Sequence, residues 1–364
     1  MSVVRRTPLH GRHVAAGGHL VDFAGWEMPQ HFSSVRDEQR AVRTAAGLFD
    51  VSHMGRLVVE GDEAGAFLQS VVTNDLDRIG DGQAQYNLLC LPDGGVLDDL
   101  VVYRGNPWRL VVNAANREQD RDWLVEHAPP GVTVRDVSDE LALLALQGPQ
   151  AQALLPAEHV DLEGLSFFGW TYGTVAGVDG CVVSRTGYTG EDGFELFVPS
   201  DRAPGVWDAL LSAGATPCGL AARDVCRLEA GLRLHGSDMD AETNPYEAGL
   251  GWTVKLQKGE FVGREALQRV RSEGPSRKLI GLRGEGRTIP RHGAAVSCDG
   301  SDAGSVTSGT YSFWLERGIG MALVQATIAA GRPEGSHLTV DLRGRAGDVE
   351  VARLPFYRGS VRQP

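Results

Sequence analysis

The sequence has no excess of positive charge and no long apolar run. Of its 364 residues, 35 are Lys or Arg and 47 are Asp or Glu, which gives a formal net charge of −12. Non-specific nucleic-acid binding needs Lys and Arg to neutralise phosphates, so this balance argues against a nucleic-acid partner. No window approaches the roughly 18 apolar residues of a membrane span, and no apolar segment follows Arg5 and Arg6 at the N-terminus. We therefore expect a cytoplasmic protein without a membrane partner.

Cysteine is also scarce, and its spacing excludes two kinds of stabilising site. The count is odd and no pair has the C-x-x-C spacing, which argues against a disulfide framework and against a zinc site. We expect free thiols in a reducing compartment. Three histidines near the N-terminus match no regular ligand spacing either, so we expect no metal. These residues are Cys90, Cys181, Cys218, Cys226 and Cys298, and His10, His13 and His19.

Several common active-site motifs are missing. The sequence has no G-x-x-x-x-G-K-[ST] phosphate loop, no G-x-G-x-x-G that opens a helix, and no G-x-S-x-G nucleophile elbow. The chain is 42% hydrophobic, which suffices for a sizeable core. Because single cores rarely grow beyond about 250–300 residues, we expect two or three compact units.

A weak internal repeat divides the first part of the chain. Residues 58–68 and 145–155 each predict a strand, a glycine corner and an amphipathic helix. A β-hairpin is predicted after each unit, over residues 86–103 and 181–198. The return strand of each hairpin carries carboxylates near its start, Asp98-Asp99 in the first and Glu195 in the second. The pattern indicates two related α+β subdomains, each with an acid on a hairpin.

The last third of the chain changes in character. A helix is predicted over residues 220–234 and a shorter one from Arg264 to about Arg271, followed by a linker over residues 272–276. Short β-rich runs between glycine-rich turns then predict a small sandwich or barrel. We therefore divide the chain into a region of two intertwined α+β subdomains, residues 1–275, and a C-terminal β-domain, residues 276–364.

Asp98 and Asp99 are the first candidates for chemistry. Neighbouring side chains on a strand face opposite ways, and the run around these two residues is apolar on both faces. At least one carboxylate is therefore confined, and a confined acid needs a partner or its pKa rises. The alternative is that Asp98 or Asp99 only caps the hairpin or pairs with an arginine.

Glu195 ends a glycine-rich loop that is the second candidate. Gly187, Gly190 and Gly193 suit a loop whose backbone approaches a flat ligand closely. An ordinary long hairpin is the alternative interpretation.

Three further side chains have open interpretations. Arg223 and Arg227 lie four residues apart on the predicted helix, where they either clamp a carboxylate or form part of a solvated face. His53 is either a general base or a structural histidine. From the residues alone, the chain is an α+β protein with an acid-lined site.

Several stretches, in their order along nearly the whole chain, resemble the glycine cleavage system T-protein family. The resemblance implies a three-domain cloverleaf, in which two related α+β subdomains and a C-terminal β-barrel surround a central folate site. It implies an aminomethyltransferase that uses tetrahydrofolate and takes its substrate from the lipoyl arm of the H-protein. The stretches are residues 6–9, 23–29, 48–54, 98–99, 146–149, 186–195, 219–224, 227–231, 304–309 and 354–357.

The same resemblance implies roles for individual residues. The catalytic acid corresponds to Asp99 and the pterin-binding acid to Glu195. The two oxygens of Glu195 suit the adjacent N–H and amino groups of a pterin, and arginines suit glutamyl carboxylates. Asp99 would orient a folate nitrogen and stabilise positive charge there. The other folate contacts correspond to Met54, Tyr86, Val101, Asn113, Tyr188, Arg223, Trp252 and Arg362.

Three related classes are the alternatives. Iron–sulfur maintenance proteins of the same fold carry a K-G-C-x-x-G-Q-E type motif, but here Glu260 replaces the cysteine and Arg264 the glutamine. Folate modules of sarcosine-oxidising enzymes accompany a flavin domain, and this chain has no dinucleotide motif. A folate carrier without turnover is the non-enzymatic alternative.

Overall fold

The computed structural model describes residues 4–361. Within this range the helices are α1 His10–Ala15, α2 Val35–Thr44, α3 Ala64–Val71, α4 Arg117–His127, α5 Ala151–Leu154, α6 Ala203–Ser212, α7 Leu220–Glu229, α8 Arg264–Glu273 and α9 Ala326–Gly331. Two short 3₁₀ turns cover Leu76–Arg78 and Gly251–Thr253. The strands are β1 His19–Phe23, β2 Trp26–His31, β3 Gly47–Asp50, β4 Gly55–Glu60, β5 Ala84–Cys90, β6 Val96–Tyr103, β7 Trp108–Val112, β8 Thr133–Asp136, β9 Leu141–Gln147, β10 Ala157–Glu158, β11 Trp170–Val175, β12 Val178–Ser184, β13 Gly193–Pro199, β14 Thr216–Pro217, β15 Arg277–Gly284, β16 Ala295–Cys298, β17 Ser301–Ser312, β18 Arg317–Gln325, β19 His337–Asp341 and β20 Ala346–Ala352.

The first subdomain is a five-stranded antiparallel sheet in the order β5-β6-β7-β4-β8. Alternate residues of its strands point to one face, where Leu57, Leu100 and Val102 pack against Phe67 and Leu68 of α3. The opposite face of the sheet does not contribute to this core and is available for contacts with other parts of the protein. The predicted hairpin is confirmed as β5 and β6, with Tyr86 opposite Val101 and Leu88 opposite Asp99.

The second subdomain is a seven-stranded sheet in the order β10-β11-β12-β13-β9-β3-β14. The early strand β3 lies between β9 and β14, so the chain contributes one strand to this sheet, builds the first sheet and then returns. Each subdomain contains a strand, then a helix and later a hairpin. These elements are β4, α3 and β5–β6 in the first subdomain, and β9, α5 and β12–β13 in the second. The two related α+β units that the repeat predicted are therefore present.

Helix α7 is shorter than predicted, because it ends at Glu229 rather than at residue 234. Gly231 adopts a left-handed conformation with φ of 66°. Its N–H donates to the Leu228 carbonyl, and the N–H of Leu232 donates to the Arg227 carbonyl. This pair of bonds is the Schellman motif, which stops a helix where glycine supplies the positive φ. The sequence-based prediction overlooked this stop signal.

The C-terminal region is a closed barrel in the order β15-β18-β17-β16-β19-β20. Its interior is filled by small and branched apolar side chains, including Leu282, Val306, Val324, Val340 and Val351. The predicted β-barrel is thus confirmed. The four residues of β16 are too few to show an alternating pattern in the sequence. Leu228 of α7 packs on the barrel, and this contact fixes the barrel against the second subdomain.

All five cysteines are buried as free thiols. In the described part of the chain, no helix combines the length and the apolar character needed to cross a bilayer.

Candidate active site

A cavity of about 1320 Å³ opens between the two subdomains and the barrel. The β5–β6 hairpin, the loop after β12, helix α7 and residues 354–361 contribute to its wall. Pockets for one small ligand usually measure about 300–1,000 Å³, so this cavity has room for more than one reactant.

The residues implied by the resemblance converge on this cavity. Although they are separated by up to about 200 positions in the sequence, nine of the ten line the same wall: Met54, Tyr86, Asp99, Val101, Asn113, Tyr188, Glu195, Arg223 and Trp252. The tenth, Arg362, lies outside the described residues.

Asp99 faces the cavity because β6 alternates its side chains. Asp99 and Val101 point to the cavity, whereas Leu100 and Val102 belong to the core under α3. The Asp99 carboxylate accepts hydrogen bonds from the Tyr86 hydroxyl at 3.0 Å and from the Asn113 amide at 2.7 Å. Burial and the neighbouring charge of Asp98 raise the pKa of Asp99 to about 7, against the opposing effect of these two hydrogen bonds. Asp99 can therefore change protonation state near neutral pH.

Asp98 lies on the opposite face of β6 and is fully buried. Its carboxylate accepts hydrogen bonds from the backbone N–H of Asn113 at 3.1 Å, from the Asn113 side chain at 2.8 Å and from the Asn116 side chain at 2.7 Å. Among residues 4–361, neither Asp98 nor Asp99 pairs with a lysine or an arginine; the imidazole of His235 lies 3.8 Å from Asp98. The arginine-pairing alternative is therefore wrong.

Glu195 forms the second acidic point of the cavity. It lies on β13 opposite Ser184, and its carboxylate accepts a 2.6 Å hydrogen bond from the Thr186 hydroxyl. Arg223 packs over the ring of Tyr188 at 4.6 Å, and one of its terminal nitrogens, Nη1, is buried and has no hydrogen-bond partner among residues 4–361. Burial lowers the pKa of Arg223, while the charge of Glu195 acts in the opposite direction. An unsatisfied buried donor beside a carboxylate suits a ligand that offers both donors and acceptors.

The two arginines of α7 differ in role. Arg223 lines the cavity. The guanidinium of Arg227 is instead buried and pairs with Asp238 at 2.7 Å and with Asp224 at 2.8 Å. Arg227 also donates to the hydroxyl of Ser308 on the barrel at 2.8 Å. The solvated helix face is therefore the wrong interpretation for Arg227, which links α7 to the barrel.

His53 lines the cavity but is a poor candidate for a general base. It is buried, and its ring packs edge-on against Phe23 at 5.6 Å. Burial, followed by the nearby charges of Arg223 and Arg56, lowers the pKa of His53 to about 3. A histidine with this pKa stays neutral at pH 7 and holds a proton too weakly to act as a base there.

Asn116 and His235 are two of the cavity residues that the sequence did not single out. The Asn116 side chain bridges Asp98 and the Nδ1 atom of His235, which lies 2.9 Å away. The Nε2 atom of His235 lies 3.3 Å from the carbonyl oxygen of Val96, an acceptor, which assigns the ring proton to Nε2. The only sequence signal is the spacing of Asn113 and Asn116 directly after β7, and nothing local marks His235.

The remaining wall is flat and apolar. The ring of Trp252 stacks on Tyr86 with a centroid distance of 6.0 Å, yet Trp252 is 58% exposed. Met54 and Val101 add apolar surface to the same cavity. Within residues 4–361, no group of three or more His, Cys, Asp or Glu side chains is arranged to hold a metal ion.

The fold and the cavity together define a class: an α+β enzyme in which two related subdomains and a β-barrel surround an acid-lined site. Two family models match the chain, the GCVT N-terminal domain over residues 9–258 and the glycine cleavage T-protein C-terminal barrel domain over residues 277–358. The chain therefore belongs to the glycine cleavage T-protein family, and it is an aminomethyltransferase of the glycine cleavage system.

Individual relatives cover nearly the whole chain. An aminomethyltransferase of Thermotoga neapolitana is 47% identical over 368 residues, which span 99% of each protein. An aminomethyltransferase of Geobacillus kaustophilus is also 47% identical and spans 98% of this chain and 99% of its own length. The crystal structure of glycine cleavage system aminomethyltransferase T from Bartonella henselae is 35% identical, with a TM-score of 0.92 over 99% of this chain and 100% of its own.

Proposed function

We propose that the cavity binds tetrahydrofolate as the acceptor and receives an aminomethyl group from the lipoyl arm of the H-protein, with Asp99 as the catalytic residue. The methylene carbon breaks its bonds to nitrogen and sulfur and forms bonds to N5 and N10 of the folate. The two protons lost from N5 and N10 go to the departing ammonia and to the thiol of the dihydrolipoyl arm. The transfer is redox-neutral and involves no metal. The observation that carries this proposal is the confined Asp99 carboxyl in the same cavity as Glu195.

Glu195 and Arg223 support the orientation of the pterin ring. One edge of a pterin presents an amino group, a ring N–H and a carbonyl oxygen side by side. The Glu195 carboxylate accepts from the first two, and the unpartnered nitrogen of Arg223 donates to the carbonyl. Because Nη1 of Arg223 is buried and the charge of Glu195 acts on this arginine, its position favours the ring over the outer glutamyl carboxylates that its residue type first suggested. Arg362 remains a proposal for the glutamyl tail.

Apolar groups supply the rest of the binding surface. Trp252 and Tyr86 present flat faces, and Met54 and Val101 line the same cavity. A ring bound against the exposed face of Trp252 would remove that face from water. Tyr188 supports the site indirectly, because its ring packs against the guanidinium of Arg223 and its hydroxyl donates to the Arg233 carbonyl.

The size of the cavity supports the binding of a second reactant. A volume of about 1320 Å³ exceeds what one small ligand needs, which leaves space for the tip of a lipoyl arm.

We infer that residues 1–275 supply the folate site and that residues 276–364 close it as a barrel domain. We also infer that the enzyme acts in the cytoplasm, where its five free thiols stay reduced.

Ammonia release from aminomethylated H-protein tests the whole proposal. We expect rapid release that depends on tetrahydrofolate, with stoichiometric formation of 5,10-methylenetetrahydrofolate. Tetrahydrofolate binding without acceleration of ammonia release would contradict the transfer and would favour a folate-binding protein without turnover.

The pKa of Asp99 predicts a pH dependence near neutrality. If the carboxylate is the active form, kcat/KM should fall about tenfold per pH unit below about pH 7, as Asp99 becomes protonated. The Tyr86 hydrogen bond lowers the pKa of Asp99, so Tyr86→Phe should raise that pKa and move the acid limb to higher pH. The measurement is the pH profile of ammonia release in both proteins.

A tyrosine outside the cavity provides the control for this shift. Tyr172 is 49% exposed and does not line the cavity, so Tyr172→Phe should leave the profile unchanged. An acid limb that stays in place in Tyr86→Phe, or that moves to lower pH, would show that Asp99 does not control the rate.

A further inference from the structure

Next to the buried Asp98 lies a second buried acid, Asp120, that the transfer reaction does not use. Asp120 is in the first turns of α4, and its side chain is fully buried. Neither carboxyl oxygen accepts a hydrogen bond from an N–H or O–H group of the described residues. The hydrogen-bonding neighbour of Asp120 is instead the carboxyl group of Asp98.

Two ionised carboxylates in this contact are not physically reasonable. A buried charge without donors costs several kcal/mol, and two like charges at hydrogen-bond distance cannot both ionise. Burial, the contact with Asp98 and the charge of Asp99 all raise the pKa of Asp120 far above its ordinary value. The helix N-terminus would favour an anion, but none of its N–H groups donates to Asp120.

The hydrogen bonds of Asp98 identify where the proton lies. An ionised carboxylate offers about four acceptor positions. Three donors from Asn113 and Asn116 occupy three of them, which leaves one for an O–H group. Among the described residues, Asp98 receives three donors and Asp120 receives none, so the shared proton belongs on Asp120, whose O–H group donates to Asp98.

The hydrogen bond from Asp120 to Asp98 belongs to the network that holds Asp99 and His235 in place. The Asn113 side chain donates both to Asp98 and to Asp99, and the Asn116 side chain links Asp98 to His235. We propose that Asp120 keeps its proton in the folded enzyme, donates a hydrogen bond through that O–H group to Asp98, and thereby acts as a positioning residue for Asp99 and His235. The positioning part rests on the proposed role of Asp99 in the transfer.

The retained proton makes the stability of the protein depend on pH in a calculable way. In the unfolded chain Asp120 is ionised above about pH 5, so the folded state binds one extra proton and loses stability as pH rises. Asp120→Asn keeps a donor to Asp98 but has no proton to gain. The folding equilibrium constant of Asp120→Asn relative to wild type should therefore rise about tenfold per unit between roughly pH 5 and pH 8.

Urea unfolding of the full chain without ligands measures this ratio. Asp122, two residues further along α4, is exposed, and Asp122→Asn should give a ratio that does not change with pH in this range. A pH-independent ratio for Asp120→Asn would overturn the shared proton. Because no substrate is present, this result is independent of whether the transfer reaction occurs.

Turnover variants test the positioning role. Asp120→Leu fills the space without a donor, so it should lower kcat at least about tenfold and move the acid limb of the pH profile upward. Asp120→Asn should keep both close to wild type, since its amide replaces the O–H donor. Asp120→Ala is a second donor-free variant should leucine prevent folding. Wild-type kcat and an unmoved limb in either donor-free variant would overturn the positioning role.

Other ionisable groups near the Asp98–Asp120 pair contribute to the expected shift of the acid limb. Asp99 on β6 and His235 after α7 face Asp98, and Tyr86 on β5 acts through Asp99. The charge of Asp98 destabilises the ionised form of Asp99. Loss of the Asp120 proton donor leaves the charge of Asp98 less compensated, which is why the acid limb should move to higher pH.

Discussion

Replacement of Asp99 by alanine should lower kcat for ammonia release by roughly 10²–10³-fold, the usual cost of removing one preorganised group that stabilises developing charge. Asp99 is the only carboxylate that β6 directs into the cavity, and its orientation is fixed by Tyr86 and Asn113. We expect tetrahydrofolate affinity to change much less than kcat. Steady-state kinetics with aminomethylated H-protein, together with folate titration, separate the two effects.

The same change should leave the fold intact, and Asp99→Asn should stabilise it. Because the pKa of Asp99 is raised to about 7, its contribution to stability is full below the unfolded-state pKa and is lost as pH rises toward 7. At pH 7, Asp99→Asn removes a cost on the order of 1–4 kcal/mol. A folded variant that is more stable but nearly inactive is the pattern expected of an active-site group.

A surface aspartate provides the control for Asp99. Asp201 is exposed after β13, and Asp201→Ala should change neither turnover nor stability appreciably. Near-normal kcat in folded Asp99→Ala would remove Asp99 from the mechanism and leave it as a structural residue of the hairpin.

Replacement of Glu195 by glutamine should weaken tetrahydrofolate binding by roughly 10–10²-fold, which is about 1.4–2.7 kcal/mol. The expected loss has a specific cause: the glutamine amide presents a donor where the pterin edge also presents donors. The Thr186 hydroxyl can still donate to the remaining oxygen, so the local structure should survive. Calorimetric titration measures the affinity, and thermal unfolding checks the fold.

The matched control for Glu195 is a solvated glutamate. Glu163 is exposed in the segment before β11, and Glu163→Gln should bind tetrahydrofolate like wild type. Unchanged affinity in Glu195→Gln would show that the pterin edge lies elsewhere in the cavity. Reduced binding together with a lower unfolding temperature would identify a structural rather than a ligand-binding role for Glu195.

The sequence predicted the elements that carry the acids because that information is local. Period-2 alternation and a turn at residues 93–95 define the β5–β6 hairpin, and the same alternation places Asp98 and Asp99 on opposite faces. Short β-rich runs between glycines predicted the barrel. The end of α7 was wrong by five residues, since Gly231 stops a helix only through its φ and the two capping bonds around it.

The sequence by itself determined the elements, the family and the identity of the candidate acids. Only the tertiary structure decided how these acids are charged and what holds them. Asp120 meets Asp98, and His235 meets Asn116, across 22 and 119 positions of chain, through the packing of α4 and the segment after α7 on one sheet. Because a pKa depends on burial and on charges that tertiary folding brings together, no local pattern reveals that Asp99 titrates near 7 or that Asp120 keeps its proton.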